Sequence, residues 1–233
     1  MKKSVFAFLI LFIWLSATTV NAQRYYDGDS YNMSRWHDYQ RGTYFGLRLG
    51  LNVPTLRFKG TSGLANTQSI ARFNIGLVCG QKLGNGLPFF VETGLLYSEK
   101  GTEINATDET GKRLHHMRYL EIPLVIKYKV ETNVDDLTVQ PFFGGFMAVG
   151  IAGQTKCYDT RTKISPFGNG RFKRFDSGIR LGCGMAFQNF YLEMSYDIGL
   201  FNIADTHYTD YHYDDFDGHI RTGCLSTTIG IDF

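Results

Sequence analysis

The densest set of ionisable side chains lies near the end of the chain, in NIADTHYTDYHYDDFDGHIR, Asn202 to Arg221. It holds Asp205, Asp210, Asp214, Asp215 and Asp217 together with His207, His212 and His219. Carboxylates with imidazoles can bind a divalent metal, and Asp214, Asp215 and Asp217 offer oxygens to calcium. The ordered D-x-D-x-D-G-x-E series of a calcium loop is missing, however. An earlier stretch, Ala152 to Arg174, carries Lys156, Arg161, Lys163, Arg171, Lys173 and Arg174 against one acid, Asp159. Two neighbouring loops of opposite sign attract each other, and a cap is the preferred reading over a metal site.

Hydrolytic chemistry needs a histidine held against a serine or a carboxylate. His37, His115, His116, His207, His212 and His219 all fall outside the regular segments described next. His116 comes closest, at the end of one such segment, and is read as an interface residue. No catalytic, cofactor-binding or metal-ligating residue is assigned, and no cofactor is expected. Cys79, Cys157, Cys183 and Cys224 are widely spaced without a CxxC, so redox and zinc motifs are excluded. A net charge of +2 gives no basic surplus for nucleic acid.

The elements that must hold these residues are strands. Gly 26, an aromatic share of 15% and only 5 Pro suit sheets and turns. Eight segments alternate with period two: Tyr44–Val53, Ile70–Leu83, Pro88–Ser98, Met117–Val130, Leu137–Ile151, Phe175–Phe187, Phe190–Phe201 and Thr222–Phe233. In each, one parity is apolar, as in Phe45, Leu47, Leu49, Leu51 and Val53. The other carries Arg48, Asn52, Arg72, Asn74, Glu92, Glu121, Lys127, Lys129, Arg180, Glu193, Ser195, Asp197 and Asp232. The links alternate in length. Pro54–Ser69, Glu99–His116, Ala152–Arg174 and Asn202–Arg221 are long; Gly84–Gly86, Glu131–Asp136 and Gln188–Asn189 are short.

That two-sidedness predicts an all-β fold, an eight-stranded antiparallel up-and-down transmembrane barrel with lipid on its apolar face. Eight strands leave a bore that side chains fill, so the inward charges must pair, and a plug of ion pairs is the preferred reading over a porin. The Gln188–Asn189 hairpin predicts one such pair, since its register puts Arg180 directly opposite Asp197.

The ends complete the plan. MKKSVFAFLILFIWLSATTVNA, residues 1–22, has the layout of a secretory signal peptide, with cleavage expected before Gln23. Residues 23–43 read as a polar, Tyr-rich periplasmic lead, and 44–233 as the barrel domain. The closing stretch CLSTTIGIDF is a strand to its last residue and places Phe233 in an aromatic girdle.

RYLEIPLVIKYKV, Arg118 to Val130, resembles the fourth-strand motif of the PorT-like family of outer-membrane barrels. YFGLRLGLN (Tyr44–Asn52) and PFFVETGLLYSEKG (Pro88–Gly101) are similar to that family's first and third strands. The resemblance implies an outer-membrane barrel of OmpA/OmpX size and an association with secretion. The expectation is a non-enzymatic outer-membrane barrel with a plugged lumen, in contact with lipid, whose external loops meet envelope or secretion proteins. The alternative is a small outer-membrane lipid-modifying enzyme.

Overall fold

In the computed structural model the described residues are 42–59, 67–84, 88–104, 113–132, 136–157, 163–167, 172–204 and 219–233. The expected signal peptide and nearly all of the lead lie outside them. Eight long strands carry the described chain: β1 Thr43–Lys59, β2 Arg72–Lys82, β3 Phe89–Ile104, β4 Arg113–Tyr128, β5 Leu137–Cys157, β6 Phe175–Phe187, β7 Phe190–Gly199 and β8 His219–Asp232. Each pairs antiparallel with its neighbours in sequence. β8 also pairs with β1 from Gly46↔Asp232 to Lys59↔His219, which closes the ring. Closure leaves no sheet edge to protect.

The strands outrun the alternating segments at the long-loop end. β1 continues six residues beyond Val53, to Lys59, and β3 runs to Ile104, so the first and second long links are partly strand. Two irregularities explain why the alternation stops early. The β4–β5 register shifts between Arg118 and Tyr119, an extra residue in β5 at Ile151. Beyond it β5 changes parity, and Thr155 is buried where the earlier pattern would expose it. Likewise Ile70 pairs with Gly101 while Asn74 pairs with Ser98, leaving an extra residue near Ala71. The placement of every histidine outside a strand is therefore corrected: His115 and His116 lie within β4, bonded to β3 at Thr102 and Gly101, and His219 begins β8.

Inside the ring the usual solubility pattern is inverted. Leu49, Leu77, Leu124, Phe143, Leu192 and Ile229 point outward and are exposed, while Arg48, Asn52, Glu92, Glu121, Lys127 and Asp197 are buried. An apolar exposed belt on every strand is the surface that faces lipid. Phe45, Tyr128, Phe187, Phe190 and Phe233 ring its short-turn end. The last residue is bonded on both sides of its peptide, Phe233 N to Phe45 O at 2.8 Å and Phe45 N to Phe233 O at 3.3 Å. Pro123, inside the YLEIPL motif, has no N–H; β3–β4 pairing is interrupted there, and the Thr93 hydroxyl donates to its carbonyl at 2.8 Å.

Candidate functional site in the lumen and at its rim

The buried charges fall into two layers. Near the short turns, Glu92 of β3 is the hub. It accepts the Tyr44 hydroxyl at 2.6 Å, lies 2.8 Å from Lys127 Nζ and 3.5 Å from Arg48 Nη2. Arg48 also reaches Asp232 at 2.5 Å, and Lys127 donates to the Tyr191 hydroxyl at 2.7 Å. Tyr191 in turn donates to Glu193 at 2.8 Å. These groups come from five strands, because alternate residues of every strand converge on a bore this narrow.

The second layer is centred on Arg180. Its Nε and Nη2 meet Asp197 at 2.6 and 2.7 Å, the two-pronged geometry that fits guanidinium to carboxylate. The paired register is the one expected, Asp197 opposite Arg180. Arg180 also donates to Glu121 across the lumen. Lys100 lies 3.7 Å from Glu121 and 4.0 Å from Asp176, with the Tyr119 and Phe146 rings each 5.2 Å from Nζ. Between the layers sits a neutral relay: Asn74 donates to Asn52, which donates to Ser98 at 2.8 Å and accepts from Ser226 at 2.8 Å. A cavity of about 30 Å³ remains there, bordered by Asn52, Ser98, Ser195 and Ser226. That is room for a water or two, far short of a pathway.

Lys100 and Asp176 escaped the sequence analysis. Lys100 shares its parity with Glu92 and Ser98, but lies past the point where β3 was expected to end. The alternation, extended two residues, would have found it.

Above Arg180 the lumen turns apolar. Phe167, Phe172, Ile203 and Ala204, from the third and fourth long links, pack with Leu56, Met117, Tyr119, Phe146, Ala148 and Ile220. The ring of His115 stands edge-on to Phe172 at 5.4 Å, and Tyr119 edge-on to Phe167 at 5.6 Å. The two links do meet, as expected of a cap, but on backbone and apolar contacts. Lys173 N donates to Ile203 O at 2.8 Å, and Ile203 N to Ile220 O at 3.0 Å. Lys156 and Lys173 are exposed. Arg161, Arg171 and the aspartates and histidines of 205–218 lie outside the described residues, so the charge attraction and the metal alternative both fall there. Among the described residues no group of three or more His, Cys, Asp or Glu is arranged to hold a metal.

On the outer face of the same end, Glu99 gathers three neighbours: Tyr97 donates at 2.8 Å, His116 Nε2 lies at 3.1 Å and Arg118 Nε at 3.4 Å. His116 thus has a carboxylate partner at the rim. Among the described residues no serine, threonine or cysteine is bonded to it, so the nucleophile of an acyl-transfer site is not assembled there. A second histidine, His115, meets the Thr155 hydroxyl at 3.0 Å, but both are fully buried beneath the cap. Cys79, Cys183 and Cys224 carry free thiols.

The sequence model of the outer membrane protein beta-barrel domain family matches residues 12–205. Ail, the attachment invasion locus protein of Yersinia pestis, is similar at 13% identity over 82% of this chain and 98% of its own, with a TM-score of 0.40. The outer membrane protein OprG from Pseudomonas aeruginosa is similar at 12% identity over 82% and 95%, with a TM-score of 0.49. Neisserial surface protein A is similar at 13% identity over 82% and 97%, with a TM-score of 0.40. No curated protein matches the sequence.

Proposed function

Since the chain belongs to the outer membrane protein beta-barrel domain family, we propose that it is a non-enzymatic outer-membrane barrel that works through its external loops rather than through its bore. The observation that carries this is the closed lumen: Arg180, Asp197 and Glu121 lock together across it beneath the apolar cap. A bore blocked by paired charges offers no solute path, so contact with other molecules is left to the outer face and the long loops. In this reading a signal peptide is removed before Gln23, residues 23–43 lead into the barrel from the periplasm, and the short turns face the periplasm. The long loops then stand outside and meet envelope or secretion proteins, as the similarity of RYLEIPLVIKYKV to the PorT-like motif suggests.

The test replaces residues 158–162 and 205–218 with short turns and compares the proteins that co-purify from detergent-solubilised outer membranes. The barrel should still insert, and its co-purified proteins should be lost. An unchanged set would move the interaction elsewhere. A second reading, a lipid-modifying enzyme, draws on the His116–Glu99 contact alone, and it predicts lipid turnover abolished by His116→Ala.

A further inference from the structure

Outside the lumen, at the long-loop end, one pair of side chains breaks the rule for sheets. Arg57 of β1 and Arg221 of β8 are directly opposed across the closing seam. Both are exposed, and both lie on the outward parity of their strands. Directly opposed β-carbons are about 4.5–5.5 Å apart, and like charges so placed repel. Such a pair is normally avoided or offset by an acid. Among the described residues neither arginine has an acidic partner; the polar contact made is Arg57 Nη2 donating to the Tyr196 hydroxyl at 2.9 Å.

A glycine in the strand between makes room for this contact. Tyr196 of β7 lies opposite Leu225, one strand away from β1, and must cross β8 to reach Arg57. It does so over Gly223, where an added β-carbon would stand 2.9 Å from the Tyr196 oxygen. Below the pair on the same face come Thr55, then Val53 and Leu225, the upper edge of the apolar belt. At about 3.3 Å per residue and a tilt of about 40°, Arg57 stands about 30 Å above Phe45. An apolar band is about 25 Å tall, so the arginines sit at head-group level.

We propose that Arg57, Arg221 and the Tyr196 hydroxyl form a binding site for the phosphate of a phosphorylated lipid head group in the outer leaflet. Two guanidinium forks and a hydroxyl match the oxygens of a phosphate monoester, and the bound dianion cancels the repulsion that the strand register imposes. The site's place in the outer leaflet rests on the orientation proposed above; its chemistry does not.

The experiment uses the refolded full-length mature barrel in detergent, with diphosphorylated lipid A and its dephosphorylated form as probes, read by native mass spectrometry. The phosphorylated lipid should be retained at least tenfold better than the dephosphorylated one. Arg57→Ala and Arg221→Ala should each remove most of that preference, and Gly223→Ala, which displaces the Tyr196 hydroxyl, should weaken it. Without lipid, the arginine variants should unfold no more readily than the parent; with lipid A, the parent should gain a stabilisation that they lack. Equal retention of the two lipids, or retention unaffected by both arginine substitutions, would overturn the site. Displacement by equimolar inorganic phosphate would make it a site for the free anion and overturn the lipid assignment. Labelling an epitope at Gly168 on intact cells checks the orientation separately, because the detergent assay is indifferent to it.

Discussion

Arg180 shows what a residue-scale reading reaches and where it stops. Its contact with Asp197 was legible because a two-residue turn fixes the register of β6 and β7, and parity fixes the face. The bond to Glu121 was not, since it spans the lumen between strands that share no turn. The energetic consequence follows from burial. Removing one member of a buried pair leaves an uncompensated charge and costs about 3–5 kcal/mol. Asp197→Ala should therefore destabilise by about that amount in a urea-unfolding titration of the refolded barrel. Arg180→Ala should cost more, because it strands Glu121 as well as Asp197. The double variant should cost less than the sum of the two. Strict additivity would mean that the pair carries no coupling.

At the scale of the element, all eight strands were legible and their outer boundaries were not. Lipid imposes a strict period of two only over the membrane-spanning part; above it, bulges near Ala71 and Ile151 reset the parity while hydrogen bonding continues. Hence His115 and Thr155, both inside strands, read as loop residues. The cap was legible as a meeting of two links, but the sequence drew attention to their charges. The described contact rests on Phe167, Phe172 and Ile203, isolated large apolar residues that show no period.

Two predictions belong to these elements. Phe172→Ala empties the centre of the cap, a loss of about 3–5 kcal/mol for a buried phenylalanine. Amide exchange at Ile203 should accelerate at least tenfold while the amides of β6 and β7 stay protected; unchanged exchange at Ile203 would show that the cap is held by something else. Deleting Phe233 removes the residue whose peptide is bonded to Phe45 at both groups, together with a girdle aromatic worth about 1.5–3 kcal/mol in burial. The shortened chain should refold in detergent yet insert poorly in cells, if the terminal aromatic is also read during assembly. Normal insertion would refute that second role.

For the whole molecule the governing fact is the inversion of polarity, with apolar side chains outside and a charged interior within. Composition alone does not reveal it, since a soluble antiparallel barrel has the same alternation with the faces exchanged. The strict alternation of long and short links distinguished the two, and the exposed belt agrees. What stayed illegible at this scale is how the inner charges divide into two layers around Glu92 and Arg180, because that depends on strand tilt and stagger rather than on any local pattern. The division matters functionally, since both layers set paired side chains across the bore. The most direct test is planar-bilayer recording of the purified, refolded protein. A barrel plugged by paired side chains should give no stable conductance of porin size, in the parent or in Phe172→Ala, where only the cap is opened. Reproducible large open-channel steps from the parent protein would contradict the closed lumen.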